Sequence, residues 1–283
     1  MRRTMAATQV YITLDAEGVA GVTSLDQVKH GAPEFGAMQA QLTKEINAAI
    51  DGARAAGAAT FLVNEGHGKH RNVIPEQLHR SARLLAGRNK LLHYMHGIDG
   101  GFDAMFMVGY HAAAGQRYGV LSHTFHAYDL HINGRRFSEI ALGMALAGHF
   151  GVPTMLVTGD AEACRDARNL VPELETVVVK EGLSGIASIN LHPAVVREQI
   201  AGAAQHAIER RDEIPPFIVE PPLVMDIQLY NTLMADINEY IPGCERTSDR
   251  TVRFQADSFL ELFKLFLLSS NLSMTTSGLM VMG

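Results

Sequence analysis

Short runs of apolar, β-branched and aromatic residues recur along the first two-thirds of the chain, each closed by Gly, Pro, Asn or Asp. They are QVYITLD (9–15), ATFLVNE (59–65), AMFMVGY (104–110), TMLVTGD (154–160) and TVVVK (176–180). Runs this short and this continuously apolar predict strands buried on both faces. Between the first two lies MQAQLTKEINAAIDGARAAG, which places Met38, Leu42, Ile46, Ala49, Ile50 and Ala53 on one helical face and Gly57 where the helix should stop. In SEIALGMALAGHFGVP, Ser138 is placed to cap a helix whose apolar face runs through Ile140, Leu142, Leu146 and Phe150, with Gly151 and Pro153 as terminators. Strands alternating with helices predict an α/β fold with a mostly parallel sheet flanked by helices.

After about residue 190 the texture changes. REQIAGAAQHAIERRDEIPPFIVEPPLVMDIQL reads as a helix, a proline-rich joint and a strand, and TVRFQADSFLELFKLFLLSS as a strand followed by an amphipathic helix. Residues 1–190 are therefore expected to form an α/β domain, and residues 191–283 a smaller C-terminal α+β lobe.

The polar residues that break this pattern fall at strand exits. Asp15 and Glu17 sit one residue apart at the end of the first apolar run, where an ordinary buried strand would avoid charge. His67 follows the second strand in VNEGHGKH, His111 ends the third in MVGYHAAAG, LSHTFH supplies His123, and Glu139 opens the helix after HINGRR. Ligands of open parallel sheets bind just outside the carboxyl ends of the strands. Carboxylate with imidazole is a donor set suited to zinc, whereas an oxygen-only cation would not need the histidines. Three carboxylates with two or three histidines exceed what one tetrahedral zinc requires, and a two-metal site with a bridging carboxylate fits the number.

Each residue alone has a structural reading. With 13 histidines in the chain, some fall near strand ends by chance. Glu139 could simply favour the positive end of its helix, and Asp15 could cap a loop. Taken jointly, those readings require several coincidences. Of the remaining histidines, His70 and His126 are the candidates to support the site from behind. GVAGVTS and GHGKH match neither a P-loop nor a dinucleotide fingerprint, no G-x-S-x-G elbow occurs, and neither cysteine has a catalytic context.

Composition narrows the classes further. An apolar content of 47% with 19% charged residues is that of an ordinary globular protein, and a net charge of −6 without basic runs leaves no footprint for nucleic acid or an anionic membrane. Two distant cysteines, Cys164 and Cys244, point to a reducing compartment. The N-terminal basic residues lead into an apolar stretch too short for a signal sequence, and no window approaches a membrane span, so the cytoplasm is the expected location.

The stretches LDAEGVAGV, VNEGHGKHRNVIPEQLH, VGYHA, GVLSHTFH, INGRRFSEIALG, GVPTMLVTGD and TVRFQAD, in this order and spanning nearly the whole chain, resemble the zinc-dependent D-aminopeptidases of the DppA type, a family first described from a dipeptide-transport operon. The resemblance implies that Asp15 bridges two zinc ions, that Glu17 and His67 complete one metal and His111 and Glu139 the other, and that His123 is a catalytic histidine outside the ligand set. It implies hydrolysis of an N-terminal residue, a D-amino acid, from short peptides. It also implies a homodecamer of two stacked pentameric rings enclosing a chamber, with no nucleic-acid or membrane partner. Ring closure would bury the apolar run FLELFKLFLLSSNLSM or its neighbours. Two departures bear on the substrate: the family's second motif usually reads Asn-Asp-Ser-His where this chain has NEGH, and a glycine often stands where this chain has Ser138. A relative that hydrolyses other small amides or lactams, and a non-catalytic metal-binding accessory protein for peptide uptake, are the alternatives. His123 speaks against the second, because a purely structural metal site needs no extra histidine.

Overall fold

The computed structural model describes residues 8–276, so the basic N-terminal residues considered above lie outside the described range. In chain order the elements are β1 (Thr8–Leu14), α1 (Leu25–Val28), α2 (Phe35–Ala55), β2 (Ala58–Asn64), β3 (Ala82–Leu85), β4 (Ala104–Tyr110), β5 (Ala127–Ile132), β6 (Arg135–Arg136) and α3 (Glu139–His149). They continue with β7 (Thr154–Asp160), α4 (Ala161–Leu170), β8 (Glu175–Ser184), β9 (Ala187–Asn190), α5 (Pro193–Glu209), β10 (Leu223–Leu229), α6 (Thr232–Asn238), β11 (Glu245–Ser248), β12 (Thr251–Ala256) and α7 (Phe259–Thr276).

A seven-stranded sheet runs β3-β2-β1-β4-β7-β8-β9, parallel throughout except for the β8–β9 pair at one edge. All five apolar runs expected to be strands belong to it. Every residue of β4 and of β7 is buried, as continuous apolar sequence in a sheet covered on both faces demands. Helix α2 packs along α5, and α3 along α4, each pair resting on this sheet. Ser138 caps α3 by accepting the backbone N–H of Ala141. A second, antiparallel sheet runs β11-β12-β10-β5-β6, drawing two strands from residues 127–136 and three from beyond residue 223. The helix α7 joins the layers, packing on α3, α6 and β12. Its apolar run is largely consumed inside the chain: Phe259, Leu262, Phe263, Phe266 and Leu267 are buried.

The segment after β1 crosses the end of β4. The N–H groups of Asp15 and Gly18 donate to the carbonyls of Val108 and Gly109, at 2.9 and 2.8 Å. A Cβ at Gly18 would land on the carbonyl of Tyr110, so only glycine permits this crossing. Thus the two carboxylates expected from the sequence leave the sheet beside the strand that carries His111.

Candidate metal centre

Three adjacent parallel strands, in the order β2-β1-β4, point their carboxyl ends at one spot. They deliver His67, Asp15 with Glu17, and His111, while α3 contributes Glu139 from its first turn and the 121–126 loop brings His123. All six residues singled out in the sequence meet here. His67 Nδ1 lies 3.2 Å from Asp15 Oδ1 and 3.0 Å from Glu17 Oε2, and His111 Nε2 lies 3.3 Å from Asp15 Oδ2 and 3.9 Å from Glu139 Oε1. His123 Nε2 is 3.8 Å from Glu139 Oε1, and its ring stacks on that of His111 with centroids 4.1 Å apart. His111 is closed off at 1% side-chain exposure, whereas His123 is open at 39% and so faces whatever enters.

Each of the three imidazoles is anchored by its other nitrogen. His67 Nε2–H donates to the Val28 carbonyl, His111 Nδ1–H to the Ala112 carbonyl and His123 Nδ1–H to the Leu121 carbonyl, each at 2.9 Å. Such a bond fixes the ring and leaves the opposite nitrogen to present its lone pair, which is how metal-binding histidines are held. Glu17 Oε2 and His111 Nε2 are buried without a hydrogen-bond partner among the described residues. Buried polar atoms left unpaired are costly, and two of them aimed at one place match donors awaiting a cation. Donor atoms fall into two compact groups sharing His111, namely Asp15, Glu17 and His111, and His111, His123 and Glu139, each with its atoms within 4.8 Å of one another. The residues therefore fit a metal centre.

Charge and burial oppose each other throughout. Burial disfavours ionised Asp15, yet the facing imidazoles of His111 and His67 hold its carboxyl well below the usual range. Burial likewise disfavours charged His111, but Asp15 and Glu139 overcome it and raise the imidazole to about 10. His67 is raised in the same way, with Glu17 and Asp15 outweighing its burial. Glu139 is raised, because burial outweighs the attraction of His111 and His123.

Other residues hold this arrangement and were missed in the sequence. Tyr94 accepts the Thr13 hydroxyl on its carbonyl at 2.7 Å and donates its own hydroxyl to the Glu139 carbonyl at 2.8 Å, tying β1 to α3. Glu65 turns into the 65–73 loop and accepts the N–H groups of Asn72 and Val73, while Asn72 Nδ2–H donates to the His67 carbonyl. A Cβ at Gly66 would meet the Leu14 carbonyl. Glu65 and Gly66 of the NEGH stretch thus order the loop that carries His67, and Ser138 is the α3 cap. Of the two supporting candidates, His126 bonds to Ser270 of α7 at 3.0 Å, and His70 pairs with His93 at 3.0 Å between their Nε2 atoms.

Sequence and fold match known proteins along almost the whole chain. The family model described as D-aminopeptidase matches residues 8–268. The chain belongs to the D-aminopeptidase family. It is 32% identical over 272 residues to a D-aminopeptidase of Bacillus subtilis (strain 168), covering 95% of this chain and 99% of that relative. A solved structure, the Zn-dependent D-aminopeptidase DppA from Bacillus subtilis, described as a self-compartmentalizing protease, superposes with a TM-score of 0.92 at 32% identity, again over 95% of this chain and 99% of that one. At this identity and coverage, the α/β architecture expected from the sequence is that of the family.

Behind the site, Glu45 of α2 is fully buried and accepts the Ala20 N–H at 3.1 Å and the Gln41 amide at 3.0 Å. Burial pushes its carboxyl from 4.5 up to about 7, against the pull of those bonds and of Lys180 and Arg197. A carboxyl raised in the folded state holds its proton more tightly than in the unfolded chain. Its contribution to stability is therefore full below about pH 4.5 and is lost as pH rises through about 7. The loss across that window is on the order of 3 kcal/mol. Glu45→Gln should remove this part of the slope, so its melting temperature should fall less than wild type's between about pH 5 and about pH 8, at fixed protein concentration. Equal slopes in the two proteins would show that Glu45 does not titrate there.

Proposed function

We propose that the chain is a dizinc aminopeptidase that removes an N-terminal D-residue from short peptides. The observation that carries this reading is the set of three imidazoles, each anchored through one nitrogen to a backbone carbonyl and aiming the other at buried carboxylates. Asp15 has one oxygen toward His67 and the other toward His111, the disposition a bridging carboxylate needs. Glu17 and His67 would hold one zinc, and His111 and Glu139 the other. Two zinc ions bound here would supply Lewis-acid chemistry, acidifying a water and polarising the scissile carbonyl. The chain's own residues do the rest. The carboxylates fix where cations can sit, and the closed surroundings of His111 keep bulk water out. His123, open on one side and oriented by the Leu121 carbonyl, can carry a proton at Nε2 to the departing amine.

The zinc dependence of the Bacillus subtilis relative supports this metal, and its description as a D-aminopeptidase supports the substrate class. The metal assignment predicts about two zinc ions per chain by elemental analysis. Asp15→Ala should lose both, and wild type holding one ion or none would overturn the dizinc site. The activity is tested on D-Ala-p-nitroanilide beside its L-Ala counterpart. Cleavage of the D-isomer alone or preferentially is expected; inactivity on both, with metal bound, would favour the hydrolase of other amides or the accessory protein.

His123→Ala should keep its zinc while kcat falls roughly 10²- to 10⁴-fold, the range for losing general acid–base help. Loss of metal would instead make His123 a ligand, in keeping with its place in the His111–Glu139 group. A fully metallated, fully active variant would refute the catalytic role.

The chain is further proposed to form a homo-oligomer, a decamer of stacked pentamers, in the cytoplasm. Support comes from the relative's self-compartmentalizing character and from a cluster of exposed apolar side chains on and after the β8–β9 hairpin: Leu183, Ile186, Ile189, Leu191 and Val195. Exposed apolar side chains concentrated on one hairpin support an interface there. No helix among the described residues is long and apolar enough to cross a membrane. Light scattering at micromolar concentration should report the large assembly, and a monomer there would discard it.

A further inference from the structure

The loop that carries Glu17 has its carbonyls gathered on one cation. Lys180, at the end of the TVVVK run on β8, is 1% exposed. Its ammonium donates to the carbonyls of Glu17, Val19 (3.0 Å) and Val22 (2.6 Å). An ammonium has three N–H donors, and here each is taken by a backbone carbonyl of a single loop. The nearby carboxylates act on it through space, since its three hydrogen bonds all go to carbonyls. Asp160 accepts the N–H groups of Ala163 and Val120, and Glu45 holds the Ala20 N–H of the same loop. Burial lowers the ammonium to about 8, with Asp160, Glu45 and Glu17 pulling it back up.

The loop has little of its own to define its shape: Val19 and Val22 close two short turns, and Gly18 rests on β4. The Val19 carbonyl also accepts the Val22 N–H, but those of Glu17 and Val22 have Lys180 as their partner, and three carbonyls converging on one buried point repel one another unless a cation lies between them. β8 is three places from β1 in the sheet, so the loop must pass the ends of β4 and β7 to reach this cation. Glu17 is the residue whose own carbonyl is clamped while its carboxylate oxygen waits unpaired beside His67.

We propose that Lys180 is a positioning residue of the metal centre, its ammonium serving as a built-in monovalent cation that fixes the Glu17 loop and thereby sets the affinity of the Glu17-side ion. The proposal rests on the metal-centre reading above. It is tested on the full chain by calorimetric zinc titration against a competing chelator, for wild type, Lys180→Met, Glu17→Gln and the double variant. Lys180→Met should weaken one of the two ions by about 10- to 100-fold, the range for losing an outer-shell partner, and leave the other near wild type. The double variant should be no weaker than the worse single variant, because both changes act through one carboxylate. Should Lys180→Met not fold, Lys180→Gln, which keeps amide donors without the charge, takes its place in the cycle. Wild-type affinity in the folded Lys180 variant, or losses that add in the double variant, would overturn the proposal. Wild type that takes up no zinc would instead overturn the metal-centre reading itself, so the two failures are told apart.

Discussion

Everything at the site depends on one crossing, the passage of the Asp15–Val22 loop over the end of β4. Asp15 and Glu17 emerge from β1, but the imidazole of His111 follows the neighbouring strand, β4. The loop must therefore lie against Tyr110 closely enough to bring carboxylates and imidazole within bonding reach. Gly18 makes that contact sterically possible, the bonds to Val108 and Gly109 set its height, and the far end is fastened to β8. The sheet supplies the rigidity: β4 and β7 are buried along their whole length, so the platform under the loop can hardly shift.

The second requirement is that each imidazole present one chosen nitrogen. His67 offers Nδ1 and His111 and His123 offer Nε2, and in every case the choice is enforced by a carbonyl bonded to the other nitrogen. Nδ1 lies nearer the main chain than Nε2. His67 can use it only because its loop is drawn close to β1, where Gly66 leaves no side chain against the Leu14 carbonyl and Glu65 folds the residues that follow. Glu65 and Gly66 thus serve to place His67, and Ser138 to cap α3.

Much of this was legible in the sequence. Continuous apolar runs closed by turn residues located five strands of the main sheet, and Ser138 with Gly57 and Pro153 located helix ends, because these signals are local. The six site residues could be read because charge at the exit of a buried strand contradicts the pattern around it. The second sheet was less legible. β5 and β6 lie between β4 and α3, yet β5 joins them to the second sheet by pairing with β10, nearly a hundred residues later, a long-range pairing that leaves no local mark. The supporting residues were also hidden. Glu65 and Tyr94 act through backbone partners that only the folded loops bring near. Lys180 did leave a trace, since a lysine closing TVVVK breaks the apolar pattern just as Asp15 does after QVYITL. Its partner, a cluster of carbonyls, has no sequence signature.

The site also shows how a fold carries charges it would not choose for stability. Asp15, Glu17, Glu139 and Lys180 are all nearly or fully buried, and a buried charge is tolerated only when its neighbours compensate for lost water. Lys180 hydrogen-bonds only to backbone dipoles, which cannot titrate, whereas Asp15 faces two imidazoles, which can. That difference divides the labour. The lysine end of the loop has partners that cannot titrate, whereas the carboxylate end leaves Glu17 Oε2 and His111 Nε2 without hydrogen bonds. An end fully satisfied by backbone has nothing to gain from a ligand, while an end with unpaired donors is stabilised when a cation arrives, so the loop's own hydrogen bonding directs binding to one side of it.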